Sequence, residues 1–250
     1  MGNSILHIHE LNYLIKPDKN FLHNHGVYVL IFNQDIPPIE EHLLIKWLDE
    51  AEIRRMGKYH TQVLKKRFLV RHGVLRYLLA SIAERHPASV EFTYGHYGKP
   101  FLPYHPIAFN VSHSQQLAML AISAYPVGVD IEFMKQSDDL GAITKTHFAL
   151  DEQVAWQSLA NEQRLQGFYN AWARKEAFIK MDGRGLQLPL DSFSVSLHPN
   201  HHAEIMRSEQ VDCSEYRLWD IPAPNGYASA LVSTIHVNQI NLYYLNTDNS

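Results

Sequence analysis

The stretch Val127-Gly-Val-Asp-Ile-Glu-Phe133 carries two carboxylates, Asp130 and Glu132, among alternating apolar residues. In an extended chain successive side chains point to opposite faces, so Val127, Val129, Ile131 and Phe133 share one face. Asp130 and Glu132 share the other, about 6.5–7 Å apart along the strand. Two like charges on one face repel unless a cation lies between them. Hard oxygen ligands so spaced suit Mg2+, whose octahedron is completed by waters and phosphates rather than by many carboxylates. A strand with one solvated face shows the same alternation, so the spacing alone admits both readings.

A third carboxylate, Glu176, lies four residues after Trp172 and three before Ile179, on the apolar stripe of a helical stretch. Such a carboxylate is costly unless it is paired or binds a metal. Lys180, at i+4, offers a pairing worth about 0.2–0.5 kcal/mol. Asn110-Val-Ser-His-Ser114 places His113 between Ser112 and Ser114 at a strand end. Imidazolium and hydroxyl donors there suit a phosphate. A Ser/His nucleophile pair is the other chemistry, but adjacent residues seldom reach one another, and no G-x-S-x-G elbow occurs. Gly98-Lys-Pro100 is a turn presenting one lysine, Lys99.

These residues need elements to hold them. Val27–Phe32 has the length and β-branched content of a buried strand. After Pro37-Pro38, Leu43, Leu44, Trp47 and Leu48 repeat at helical spacing. A long helix is predicted over about Val63–Arg85, closed by His86-Pro87. Strands follow at Ile107–Ser112, Leu117–Ser123 and Val127–Phe133, the last two separated by Ala124-Tyr125-Pro126. Asp151 reads as the N-cap of a helix over Glu152–Leu159. A longer helix runs over about Glu162–Met181, ended by Gly183 and Gly185. Strands are predicted at Ser192–Leu197, Tyr216–Ile221, Tyr227–Ile235 and Ile240–Leu245. No exact repeat and no Gly/Ser linker divides the chain; Ala124–Pro126 is the best seam.

The chain has 250 residues, 46% of them hydrophobic, and a formal charge of −4, which excludes a disordered or collagen-like polymer. One cysteine, Cys213, excludes a disulfide framework and favours a reducing compartment. No run approaches the ~20 apolar residues of a membrane span. Met1-Gly-Asn-Ser-Ile-Leu6 has no signal-peptide pattern, and Leu6 departs from a myristoylation site. Sixteen histidines invite a metalloprotein reading. His7-Ile-His9, His23-Asn-His25 and His201-His202 lack a third ligand at zinc spacing, and read as surface or packing residues. Between Arg54 and Ala83 there is no Asp or Glu but eight cations: Arg54, Arg55, Lys58, Lys65, Lys66, Arg67, Arg71 and Arg76. That is either a solvated helix face or a docking surface for an anionic ligand or partner.

Taken in order, Gly98-Lys-Pro100, Phe109-Asn-Val-Ser-His-Ser114, Val127-Gly-Val-Asp-Ile-Glu132 and Trp172-Ala-Arg-Lys-Glu-Ala-Phe-Ile-Lys180-Met-Asp-Gly-Arg-Gly-Leu186 resemble the 4′-phosphopantetheinyl transferases of the two-half, surfactin-synthetase-activating (Sfp) type. The last segment is close to the pattern W-x-x-K-E-x-x-x-K-x-x-G-x-G-L. The resemblance covers about Glu52 to Leu186. It implies an α+β fold of two similar α/β half-domains with pseudo-twofold symmetry, residues 1–125 supplying nucleotide-phosphate contacts and 126–250 the metal carboxylates and catalytic helix. It implies that 4′-phosphopantetheine passes from coenzyme A to a serine of an apo acyl, peptidyl or aryl carrier protein, releasing 3′,5′-ADP. Asp130, Glu132 and Glu176 would hold Mg2+, with Mn2+ as the alternative ion. Glu176 would be the general base, with Glu132 as runner-up, and Lys180 would neutralise phosphate oxygens. Arg67, Lys99, Pro100, Ser112, His113, Asp130 and Lys180 would line the coenzyme A site. The resemblance further implies a cytoplasmic monomer that engages neither nucleic acid nor membrane. A metal-dependent phosphodiesterase and a catalytically inactive coenzyme A- or carrier-binding protein are the alternatives.

Overall fold

The computed structural model describes residues 5–11 and 14–246, so the Met1–Ser4 part of the stretch weighed for lipidation lies outside the described residues. The chain runs β1 (Ile5–Leu11), α1 (Lys19–His23), β2 (Gly26–Asn33), α2 (Glu41–Trp47), α3 (Glu50–Gly57) and α4 (Gln62–Ala83). A two-stranded hairpin, β3 (Thr93–Tyr94) and β4 (Pro100–Phe101), leads to β5 (Ala108–Ser114) and β6 (Leu117–Ser123). The same order then recurs: β7 (Val127–Phe133), α5 (Leu140–His147), α6 (Leu150–Ser158) and α7 (Asn161–Asp182). A hairpin of β8 (Phe193–Val195) and β9 (Ile205–Ser208) precedes β10 (Tyr216–Asp220) and β11 (Tyr227–Thr234), and β12 (Gln239–Leu245) closes the chain.

Pairing repeats as well as order. β6 lies antiparallel between β2 and β5, and β11 lies antiparallel between β7 and β10. Equivalent serines make equivalent bonds: Ser123 Oγ donates to Gly26 O at 3.4 Å, and Ser233 Oγ to Pro126 O at 2.7 Å. Each half also buries a glutamate that reaches back to its own helix start and pairs with a cation of the long helix. Glu52 accepts from Asp49 N–H and from Arg76; Glu152 accepts from Ala149 N–H and pairs with Lys175. The pseudo-twofold halves thus share a framework that their sequences do not display.

The first sheet has the order β1-β12-β2-β6-β5 and the second β10-β11-β7. β12 lies parallel to both β1 and β2, so residues well beyond the 125/126 seam build the interior of the first sheet. α4 packs Phe68, Leu75, Leu78 and Leu79 on the outer face of that sheet against Leu30, Phe32, Leu120 and Ile122. α7 packs Ala177 and Phe178 on the second sheet against Ala230 and Val232. Between the sheets Val27, Val29 and Ile31 meet Val127, Val129, Ile131, Ile240 and Leu242. The layers are helix, sheet, sheet, helix.

Local chemistry sets the ends of these elements. Thr61 caps α4 by accepting Leu64 N–H at 3.2 Å, and Gly183, at φ +91°, ends α7. α6 starts at Leu150, not after an Asp151 cap. Asp151 sits in its first turn because Glu152 satisfies the Ala149 N–H. The strand expected over Ser192–Leu197 shortens to Phe193–Val195. β1, α5 and the β3–β4 hairpin carried no periodic signal. No helix among the described residues is long and apolar enough to cross a membrane.

Candidate active site

Asp130 and Glu132 share one face of β7, as alternation requires, and that face meets α7 and β5. Gly128 makes this contact close: a Cβ there would lie 2.1 Å from Ala177 O and 2.3 Å from Met181 N. With no side chain at 128, α7 settles onto the strand and brings Lys180 to Asp130. Lys180 Nζ donates to Asp130 Oδ1 at 2.6 Å and to Ser112 Oγ at 3.0 Å, while Ser112 Oγ donates to the same Oδ1 at 2.6 Å. Asp130 is 1% exposed, and its Oδ2 is buried without a hydrogen-bond partner. Glu132 Oε2 accepts from Ser114 Oγ at 3.0 Å.

The three carboxylates feel one another. Burial, then the Asp130 charge, pushes Glu132 up to about 7, with Glu176 adding to the rise. Burial and Asp130 also raise Glu176, against the opposing pull of Lys180. Lys180 therefore pairs with Asp130 rather than forming the simple i,i+4 pair with Glu176 that spacing allowed. Among the described residues no three His, Cys, Asp or Glu side chains already form a metal cage. The donor set nevertheless fits a hard divalent ion: an orphaned buried carboxylate oxygen and two neighbouring carboxylates held above their usual range by burial and by the charge of Asp130.

β5 explains the Asn-Val-Ser-His-Ser pattern. It is the edge of the first sheet lying against β7, the edge of the second. Asn110 Oδ1 accepts Val129 N–H at 2.9 Å and Ser114 Oγ accepts Phe133 N–H at 3.0 Å. Side chains of one strand thus satisfy the outer backbone edge of the other, with Ser112 between them on Asp130. His113 points the opposite way, into a cavity of about 320 Å³ lined also by Arg55, Phe68, Arg71, His72 and Tyr94. Its residue surface is exposed. Desolvation by the surrounding protein, then the charges of Arg71 and Lys180, drives its imidazole down to about 4. Two predicted phosphate contacts, Ser112 and His113, therefore face opposite sides of one strand.

The other predicted contacts separate. Gly98 and Pro100 line the His113 cavity. Lys99 turns away, donating to Val127 O at 3.1 Å and Met181 O at 2.9 Å. Burial lowers its ammonium to about 8. It ties the β3–β4 turn to the second half. Arg67 forms two 2.7 Å bonds to Asp35. Of the eight cations in the acid-free stretch, Arg54 pairs with Glu50, Lys66 with Glu41, and Arg76 with Asp49 and Glu52. Arg55 and Arg71 face the cavity. Sequence reading missed both as site residues and missed His72. The available signal was spacing: Phe68, Arg71, His72 and Leu75 form one helical stripe. Lys175, inside the long motif, is fully buried between Glu152 (2.7 Å) and Phe193 O (2.6 Å) and serves the framework.

Residues 126–232 match the 4′-phosphopantetheinyl transferase superfamily. A 4′-phosphopantetheinyl transferase of Bacillus subtilis is 32% identical over 180 residues, 72% of this chain and 80% of that protein. The B. subtilis 4′-phosphopantetheinyl transferase ffp is 31% identical, covering 74% and 87%. The Sfp enzyme of B. subtilis strain 168 is 28% identical, covering 72% and 80%. The chain belongs to the 4′-phosphopantetheinyl transferase superfamily. Asp130, Glu132, Glu176 and Lys180 all lie within the matched segment.

Proposed function

We propose that this protein transfers 4′-phosphopantetheine from coenzyme A to a serine of an apo acyl, peptidyl or aryl carrier protein, with Mg2+ (or Mn2+) at Asp130, Glu132 and Glu176. The observation that carries this reading is the Lys180–Asp130–Ser112 cluster, with its orphaned Oδ2 beside two carboxylates of raised pKa. A divalent ion bound there would neutralise charge growing on the pyrophosphate oxygens.

The carrier serine Oγ attacks the β-phosphorus of coenzyme A. The new O–P bond forms as the bond to 3′,5′-ADP breaks. Glu176 takes the serine proton, directly or through a water, with Glu132 as the second candidate. Lys180 holds Asp130 in place and presents its ammonium to the departing phosphate. Ser112 fixes Asp130 from the first half. His113 and Pro100 contact the nucleotide in the adjoining cavity. Lys99 supports that wall through its two carbonyl partners, with one N–H left to donate, and Arg67 braces the rim through Asp35. Residues 1–125 thus furnish most nucleotide contacts and 126–250 the carboxylates and the helix bearing the base. A cytoplasmic monomer acting on carrier proteins, without nucleic acid or membrane, is the working expectation.

The test is labelling of apo carriers by purified protein, Mg2+ and fluorescent coenzyme A. Labelling is expected with at least one carrier class, and Asp130→Ala and Glu176→Gln should abolish it in folded protein. Failure across acyl, peptidyl and aryl carriers would overturn the reading. Nucleotide hydrolysis without a carrier would point instead to a phosphodiesterase. Tight coenzyme A binding without turnover would point to a binding protein.

A further inference from the structure

The turn between β5 and β6 is two residues long, since Ser114 pairs with Leu117 across it. Its first residue, Gln115, takes φ +51°, a conformation that such loops favour glycine for. A longer residue there is strained, and the conformation persists only where neighbouring groups hold it. Gln34, directly after β2 and 0% exposed, supplies that hold. Its backbone N–H donates to Gln116 O at 2.8 Å, and its side-chain amide donates to Leu117 O at 3.0 Å and Gln115 O at 3.3 Å. Three successive carbonyls of the turn thus end on one buried residue. The side-chain oxygen of Gln34 is fixed in its turn by a bond from Arg71 Nη1. The other groups acting on Arg71 are the Tyr59 hydroxyl and the Arg55 charge, not an acid.

The turn matters because of the residue that enters it. Ser114 Oγ donates to Glu132 Oε2 at 3.0 Å and accepts Phe133 N–H at 3.0 Å. The first half therefore grips Glu132 through Ser114, as it grips Asp130 through Ser112. The two grips differ in support. Ser112 lies inside the β5–β6 ladder opposite Met119, whereas Ser114 is its last rung, so the turn sets where Ser114 stands. A carboxylate that binds a metal depends on the outer hydrogen-bond partner that orients it. Gln34 lies outside the Glu52–Leu186 segment that carries the family resemblance. Resting on the transferase reading above, we propose that Gln34 is a positioning residue for the transfer: it holds the β5–β6 turn, the turn holds Ser114, and Ser114 keeps Glu132 in the carboxylate cluster.

Gln34→Glu separates the two duties of the side chain. The acceptor for Arg71 stays and gains an opposite charge, so the variant should fold, while the donors to the turn are lost. With coenzyme A, carrier and Mg2+ saturating, kcat should fall about 10- to 100-fold, the scale for losing an outer partner of a metal-binding carboxylate. An effect passing through Arg71 would appear instead in the KM for coenzyme A. Ser114→Ala should lower kcat on the same scale, and the double variant should be no slower than Ser114→Ala alone, because both changes break one chain of contacts. Glycine takes a positive φ without strain, so adding Gln115→Gly to Gln34→Glu should raise kcat again. In the protein without ligands, hydrogen exchange at the Phe133 amide, followed by NMR, should be faster in Gln34→Glu and slow again once Gln115→Gly is added. An unchanged kcat in Gln34→Glu, additive losses in the double variant, or a lost kcat with unchanged Phe133 exchange would each overturn the assignment. If the wild type labels no carrier but the exchange responds as stated, the transferase reading fails while the hold of Gln34 on the turn and Ser114 stands.

Discussion

Replacing Gly128 by Ala tests whether close contact between β7 and α7 sets the site. The added Cβ would stand 2.1 Å from Ala177 O and 2.3 Å from Met181 N, both backbone atoms that cannot rotate away. The tightest tolerated carbon–oxygen contacts are near ~3.3 Å, so α7 must retreat from the strand by about 1.2 Å. That helix carries Glu176 and Lys180, while the strand carries Asp130 and Glu132. A misplacement of about 1 Å costs about 100-fold in rate, and overpacking costs about 1–3 kcal/mol. Gly128→Ala should therefore melt about 2–12 °C lower and transfer about 100-fold more slowly at a temperature where it remains folded. Gly57→Ala is the control: no atom lies within 4 Å of its added Cβ, so activity should be unchanged. If Gly128→Ala keeps its melting temperature and transfers within about threefold of wild type, against the 100-fold expected of misplacement, close contact does not position the site.

Further outcomes follow from the buried charges. Lys175→Met strands Glu152 in the interior and should cost about 3–5 kcal/mol by chemical denaturation; adding Glu152→Gln should recover part of that. His113 titrates near 4 in the folded protein, against about 6.5 when unfolded. The unfolded state then binds more protons between those values, so stability falls as pH drops through that window. His113→Asn should flatten the stability–pH curve there, measured by urea melts. A phosphate beside the ring should raise its pKa, so nucleotide binding at pH 5–6 should take up a proton, seen by calorimetry in two buffers and absent from His113→Asn. Mg2+ at ten times its dissociation constant should stabilise the wild type by about 1.4 kcal/mol, or about 3–6 °C, and a chelator should reverse this. Asp130→Asn should lose the shift; an equal shift in that variant would place the ion elsewhere.

The long elements were legible because their periodicity is strong. The α7 and α4 stripes, the β7 alternation and the Gly183 stop all appear where pattern demanded. The carboxylate face of β7 was legible for the same reason, since a period of two fixes which residues share a face. What was illegible depends on partners distant in sequence. Nothing local shows that Asp35 lies beside Arg67, that Lys99 reaches Met181, or that Arg71 lacks an acid. The basic stretch looked uniform, yet the fold sorts it into paired and unpaired cations. The histidines were the loudest compositional feature, and of those named at the outset His113 is the one drawn into the site. The repeat was hidden because the two halves keep a common arrangement with different residues: Arg76 and Lys175 do the same work, and Leu30 and Phe32 stand in β2 at positions comparable to Asp130 and Glu132 in β7.

The return of β12 to the first sheet has a consequence for how the enzyme is made. Val27 waits for Ile240, its partner in the ladder, so one edge of β2 stays bare until nearly the whole chain has left the ribosome. At about 5–20 residues per second, that leaves an unpaired, apolar strand exposed for about 10–40 seconds. Contacts this distant in sequence also form late in folding. The first half therefore gains a complete sheet only when the second is present, and the nucleotide cavity and the carboxylate cluster come into being together. A chain cut short before residue 239 should be a target for chaperones and proteases rather than a partly working enzyme.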